Sequence, residues 1–267
     1  MKSLNKLFAI LLALTLMLGA VSASAEGVLD KIKVSGKIII GTEATYGPYE
    51  FPDENGQPIG CDIWLAEKIA EALGVKPVIV DMDFMGIIPA VKSGQLDIGI
   101  AAFTVNEDRK EQIDFTNQYE LSEQLLIVKK GNGEAYSTKD ALAGLKVGAQ
   151  LGTVQSQLIT SALPDSELFE LSTYPDLALE VVNGSIAGFV ADAAVGLGFV
   201  AQNDNLEVAS LAFTAEEASF GKACVIAKGN ADLMEIVNQV IDQVVADGSY
   251  LEMFNYYDAI WKGEMAE

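Results

Sequence analysis

The chain has 267 residues, half of them hydrophobic, with 38 acids against 17 bases, no histidine and a formal charge of −21 at pH 7. That length and apolar content suffice for a large core or two lobes, so a disordered chain is not expected. The charge repels phosphate backbones and anionic lipid surfaces, which leaves nucleic acid without electrostatic support as a partner. The lack of histidine excludes Ser-His-Asp and Cys-His catalysis and histidine metal sites.

Lys2 and Lys6 precede the apolar run LFAILLALTLMLGAV, and ASA at residues 23–25 offers the small residues that a signal peptidase accepts. Residues 1–25 therefore read as an export signal, with the mature chain starting near Glu26 and no adjacent cysteine to take a lipid. The run is shorter than the roughly 20 residues of a spanning helix, and no later segment is long enough. Beyond it, KIIIG and KPVIV read as short buried strands. Between them DIWLAEKIAEAL spaces Ile63, Ala66, Ile69, Ala70 and Leu73 as one helical face, closed by Gly74. GTEATYGPYEF follows the first strand, and PDENGQP reads as a hairpin turn, since its acids lack calcium-loop spacing.

A short helix around IIPAVKSG, the strand LDIGIAA, then QLLIV, LKVGA, a helix over residues 154–163, ELFEL, a helix over 176–183 and AGFVA follow. This is the rhythm of a largely parallel sheet with crossover helices. Leu233, Ile236, Val237, Val240, Ile241, Val244 and Val245 form a late apolar helical stripe ending at Gly248. AVKSGQLDIGIAA (90–102) and EVVNGSIAGFVAD (180–192) share a helix end, a glycine and an apolar strand at one offset, which suggests two similar lobes. Open α/β sheets bind ligands beyond the carboxyl ends of their strands. Those ends fall after KIIIG, at residues 101–104 and at Asp192, so strand ends of both lobes are expected to face one cleft.

The chemistry available there is narrow. There is no GxxxxGK[ST] loop and no strand-coupled GxGxxG, so no nucleotide cofactor is expected. Arg109, leaving the strand LDIGIAA through FTVNED, has the guanidinium fork suited to a carboxylate, although Glu107 and Asp108 beside it fit a solvated arginine equally. Asp192 could accept an amino group or cap the helix AAVGLGFV, or do both. The Thr104 hydroxyl would complete a carboxylate's shell. Cys61 and Cys224 lie in flanks unlike a disulfide framework, and buried free thiols are the simpler expectation.

The segments IGTEATYGPYEFPDENGQPIGCDIWLAEKIAEALGV, FMGIIPAVKSGQLDIGIAAFTVNEDRKEQIDFTNQY, LKVGAQLGT and the ending GSYLEMF, in that order, resemble the extracellular solute-binding proteins of polar amino-acid ABC transporters. The resemblance covers nearly all of the mature chain. It implies an α/β, two-lobed type II periplasmic-binding fold, each lobe a mostly parallel sheet flanked by helices, with the ligand cleft between lobes. With crossings near Ser122 and Phe220, lobe 1 would hold residues 26–122 and 221–267, and lobe 2 residues 123–220. Residue by residue it implies Arg109 as the clamp on a ligand α-carboxylate, Thr104 as a hydroxyl donor to it, and Ala102 and Asp192 at the α-ammonium. Tyr46 and Phe84 match the aromatics around the ligand's side chain. Thr153 and Val154 match the second-lobe helix start whose N–H groups meet the carboxylate. Glu43 matches an acid or polar residue at the side-chain end, favouring a basic or glutamine-like ligand. Cys61, Trp64 and Ala187 depart from the family's usual residues. The implied function is capture of a free amino acid by an exported, monomeric protein without cofactor or metal, for delivery to a membrane permease. The rival is an enzyme on the same scaffold resembling cyclohexadienyl dehydratases, with Glu43 as general acid or base.

Overall fold

A computed structural model describes residues 27–265, so the expected export signal lies outside the described residues. Helix α1 (Val28–Ser35) leads into β1 (Lys37–Thr42), the hairpin β2 (Phe51–Pro52) and β3 (Pro58–Ile59), α2 (Cys61–Leu73), β4 (Lys76–Asp81) and α3 (Phe84–Ser93). Strand β5 (Ile98–Gly99), the single-turn α4 (Glu107–Lys110), β6 (Asp114–Phe115) and β7 (Glu120–Ser122) follow. The next stretch runs β8 (Gln124–Lys129), β9 (Lys146–Gln150), α5 (Val154–Ala162), β10 (Glu167–Leu171), α6 (Tyr174–Asn183), β11 (Gly188–Asp192), α7 (Ala193–Gln202), β12 (Leu206–Val208) and α8 (Ala215–Ala218). Strands β13 (Phe220–Lys222) and β14 (Val225–Ile226) and helices α9 (Ala231–Ala246) and α10 (Ser249–Trp261) complete it.

The strands form two five-stranded sheets in matching order, β4-β1-β5-β14-β6 and β10-β9-β11-β8-β12. In each, the first three strands run parallel, the fourth is reversed, and the fifth pairs antiparallel with the fourth. The reversed strand is in both cases the one that enters from the connection between sheets. The chain leaves the first sheet through β7 and returns through β13, and these two pair antiparallel with Phe220 opposite Ser122. Among the described residues no helix is long and apolar enough to cross a membrane.

Strand alternation divides the core. Ile38 and Ile40 pack with Leu65, Ile69, Leu233, Val237 and Ile241 of α2 and α9, while Ile39 between them faces Ile87 and Val91 of α3. In the second sheet Val147, Ala149 and Val190 meet Leu158 and Ile159 of α5, whereas Phe189 and Ala191 face Leu177 and Val181 of α6. Each such fully buried side chain stabilises by about 1.5–3 kcal/mol relative to exposure, so both sheets are sandwiched by helices.

The internal repeat is structural. Gly94 and Gly184 end α3 and α6 in the same left-handed conformation (φ 75°, ψ 17° and φ 78°, ψ 17°), each N–H closing onto the last helical carbonyls. The strands that follow, β5 and β11, are the central members of their sheets. The apolar run LDIGIAA contributes only two residues of regular strand, because Ala102 turns the chain at φ 44° immediately after Ile100 bonds Gly41. Cys61 and Cys224 are both buried and free; Cys61 Sγ lies 3.5 Å from the Tyr250 hydroxyl.

Candidate functional site

The two sheets turn their strand carboxyl ends toward each other. Glu43 follows the end of β1, residues 101–104 follow β5, Gln150 ends β9 and Asp192 ends β11. The cleft between them is lined by Glu43, Tyr46, Phe84, Ala102, Thr104, Arg109, Thr153, Val154 and Asp192. Glu50, Gln150, Gln155, Tyr174 and Lys222 line it as well.

Arg109 sits in α4, whose N-cap Asn106 accepts the Arg109 N–H at 2.8 Å. Its guanidinium lies 5.3 and 5.4 Å from the ring centroids of Phe84 and Phe103, beside the pair, whose rings stack on each other at 4.8 Å. Nη1 donates to the Thr104 carbonyl at 2.9 Å, and Nη2 reaches across the cleft to the Gly152 carbonyl at 3.2 Å. Gly152 is left-handed (φ 74°) and bare because Met85 occupies the space a Cβ would need. Only 8% of Arg109 is exposed, and burial drops its pKa to about 10. Among the described residues no carboxylate lies within 4.0 Å of it. A surface arginine paired with Glu107 or Asp108 is thereby ruled out: Glu107 pairs with Lys110 instead. A buried cation held by neutral groups is a strong receptor for an anion.

Glu43 faces the same cleft from the other end. It is 5% exposed, its Oε1 accepts from Thr45 Oγ1 at 2.5 Å, and its Oε2 accepts from Gln150 Nε2 of the opposite sheet at 3.1 Å. A solvent-facing glutamate is excluded. Burial pushes its pKa up to about 7, more than the two hydrogen bonds pull it down. The carboxyl is thus poised to ionise when a cation arrives. Thr153 turns its hydroxyl onto the Gln150 carbonyl at 2.7 Å and does not cap α5, so the first-turn N–H groups of that helix, whose residues Val154 and Gln155 line the cleft, are left without a side-chain cap.

Asp192 occupies the N-cap position of α7, yet its carboxylate caps nothing. It is fully buried and accepts three hydrogen bonds: Oδ1 from Gln124 Nε2, and Oδ2 from the Tyr46 hydroxyl and Lys222 Nζ, each at 2.5 Å. Tyr46 is therefore more than an aromatic wall, since its hydroxyl ties the first sheet's loop to the second sheet. Its ring packs on Tyr49 at 5.8 Å and Tyr174 at 4.8 Å. Phe84, the other expected aromatic, is seated on Phe103 under Arg109. Ala102 holds its left-handed turn by donating its N–H to Asp62 Oδ2 at 2.7 Å.

Below the cleft lies a buried acid cluster that the sequence did not announce. Glu50 and Asp62 are neighbouring buried carboxyls, with Glu50 raised well above the carboxylate range by burial and Asp62 to about 6 by the same cause. Two carboxyls in one buried site share a proton. Glu120 accepts from Tyr49 at 3.1 Å and from Tyr250 at 3.4 Å, and burial raises it to about 8. Lys222, 1% exposed, is a cation near all three acids, and its direct ion pair is with Asp192. Its one sequence signal is a cation inside the apolar stretch FGKACVI.

The chain matches bacterial extracellular solute-binding proteins, family 3, over residues 38–258. It is 30% identical over 229 residues to the L-cystine-binding protein TcyJ of Escherichia coli, covering 85% of both chains. Its fold is similar to that of an amino-acid ABC transporter substrate-binding protein, AbpA of Streptococcus pneumoniae, solved with L-arginine: TM-score 0.84, 28% identity, 87% of this chain and 98% of that one. It is also similar to an ancestral amino-acid-binding protein described as a precursor of cyclohexadienyl dehydratase, at TM-score 0.78 and 31% identity over 86% of this chain and 99% of the other. With the matched region spanning both sheets and the cleft between them, this chain belongs to the family 3 bacterial extracellular solute-binding proteins.

Proposed function

We propose that this protein captures a free amino acid with a cationic or amide side-chain end and delivers it to the permease of an ABC importer. The observation that carries the proposal is Arg109, a buried guanidinium with two carbonyl partners and, among the described residues, no carboxylate within 4.0 Å. A ligand carboxylate supplies the missing counter-charge. Glu43, at the other end of the cleft, selects a ligand that brings a cation or a donor, because a second carboxylate there would meet like charge in a poorly hydrated space. The arginine held by the similar S. pneumoniae protein fits that preference.

We assign residues 26–122 and 221–267 to one lobe and 123–220 to the other, with the paired β7 and β13 as the hinge. Closure is held by contacts that cross between the lobes, among them Glu43 to Gln150, Tyr46 and Lys222 to Asp192, and Arg109 to Gly152. The permease reads the closed form. The protein acts as an exported monomer and performs no chemistry on its ligand. A dehydratase-like reading draws on the Glu43 carboxyl, whose pKa near 7 suits a general acid. Isothermal titration of unfolded, dialysed and refolded protein against the common amino acids tests the main reading. Saturable binding of arginine, lysine, histidine or glutamine supports it, and a preference for glutamate or an aliphatic amino acid refutes the role given to Glu43.

A further inference from the structure

Lys222 stands where the amino group of a ligand would be received. Its side chain rises from the hinge strand β13 into the cleft, and its ammonium donates to Asp192 Oδ2 at 2.5 Å and to Thr104 Oγ1 at 3.2 Å. Those are the strand-end acid of the second sheet and the hydroxyl of the residue whose carbonyl holds Arg109. The ammonium also lies 5.8 Å from the Tyr49 ring centroid. Gln124 and Tyr46 also donate to Asp192, and its single negative charge is already balanced by a cation of the protein itself.

We propose that Lys222 is a specificity-determining residue that makes an α-amino group dispensable for binding, so that the site takes a polar-ended 2-hydroxy or 2-oxo acid about as well as the corresponding amino acid. This rests on the amino-acid reading above. An entering α-ammonium gains little at Asp192, because it must share the carboxylate with Lys222 or displace it, and two cations on one carboxylate repel each other. A ligand without the amino group meets no such competition. Its carboxylate is held by Arg109, and its 2-hydroxyl or 2-oxo oxygen faces the Lys222 donor where an ammonium would face a like charge. The length of the lysine stem matters too. Four methylenes bring Nζ from the hinge to Asp192, a residue 30 positions earlier in the chain and in the other sheet.

The test compares paired ligands by calorimetry on refolded protein: L-arginine with its 2-hydroxy analogue argininic acid, L-histidine with imidazolelactate, and L-glutamine with its 2-hydroxy analogue. In the parent protein the dissociation constants within a pair that binds are expected to agree within about fivefold. Lys222→Met, of similar length and without charge, leaves Asp192 unpaired, so it should favour the amino acid over its hydroxy analogue by about 100-fold or more. Lys222→Arg, which keeps a cation at the hinge, should hold the parent ratio if the methionine variant fails to fold. An amino acid that binds the parent at least 50-fold tighter than its hydroxy analogue overturns the assignment of Lys222 while leaving amino-acid capture intact. So does a Lys222→Met protein that folds and keeps the parent ratio. If no member of any pair binds the parent at millimolar concentration, amino-acid capture itself fails, and this inference with it.

Discussion

Replacing Arg109 by alanine should separate ligand binding from folding. In the ligand-free protein the guanidinium gives two charge-assisted hydrogen bonds to carbonyls and two ring contacts, a gain of about 1.5–3 kcal/mol for each hydrogen bond. Against this stands desolvation. Moving the pKa from 12.5 to about 10 corresponds to roughly 3 kcal/mol of cost on the charged form. The two sides largely cancel, so Arg109→Ala should change the unfolding free energy of ligand-free protein by no more than about 3 kcal/mol. Binding has no such cancellation. A carboxylate brought into the cleft without its cation loses roughly 3–5 kcal/mol, or about 150- to 5,000-fold in affinity. Urea denaturation without ligand gives the first quantity, and calorimetry with the best parent ligand gives the second. A variant that binds within threefold of the parent refutes the clamp. One that loses binding only because it has unfolded refutes the proposed balance of terms.

Three further outcomes follow from the buried network. Asp192→Asn should destabilise the ligand-free protein by about 3–5 kcal/mol in urea, because it leaves Lys222 as an unpaired buried cation; a loss below about 1 kcal/mol would show that Lys222 finds another acid without cost. Dithiothreitol should leave the Tm unchanged and the unfolded chain should titrate two thiols, since Cys61 and Cys224 are free; a reducible shift in Tm would show a bridge. Prephenate and arogenate should bind weakly or not at all and yield no product by absorbance or chromatography, whereas turnover that is lost in Glu43→Gln would establish the dehydratase-like reading.

The two-sheet plan was legible because long apolar runs carry period: KIIIG alternates between two helical layers, and the α9 stripe puts Leu233, Val237 and Ile241 on one face. The short strands β6, β7, β13 and β14 were not, as two or three residues display no period, and their pairing is imposed by the hinge. Arg109, Thr104 and Asp192 could be chosen from residue type at a strand's carboxyl end. What sequence could not supply was their state. Lys222 meets Thr104 across 118 positions and Asp192 across 30, so its burial is decided by partners no local window contains. Glu50 stood in the open inside GTEATYGPYEF, but its fate as half of a carboxyl pair depends on Asp62, reached only when the loop packs against α2. For the same reason Asp192 could be weighed as a cap or a ligand residue, and it proves to be a buried acid held by Gln124, Tyr46 and Lys222.

Glu43 allows the sharpest use of that state, because one carboxyl should set both stability and affinity against pH with opposite signs. Its pKa is about 7 in the folded, ligand-free protein and near 4.5 when exposed in the unfolded chain. Between those values the folded state retains a proton that the unfolded state has released. Stability from Glu43 is therefore fully present below about pH 4.5 and is lost as pH rises through 7, by at most about 3 kcal/mol. Glu120, raised to about 8, and Asp62, raised to about 6, act in the same direction. Their contributions remain in Glu43→Gln, so the difference between parent and variant isolates Glu43. Affinity for a cationic ligand runs the other way, since the cation needs the carboxylate. It should rise by up to about tenfold per pH unit from pH 5 toward 7 and level off above it, with a proton released on binding in the acidic range. In Glu43→Gln the slope should vanish and arginine should lose roughly 2–5 kcal/mol, while glutamine, which brings no charge, should bind nearly as before. Calorimetry from pH 5 to 8 in buffers of different ionisation enthalpy reads affinity and proton release together. A slope for arginine that survives Glu43→Gln, or an equal slope for glutamine, would place the titrating group elsewhere and leave specificity to Tyr46, Phe84 and the second-lobe wall.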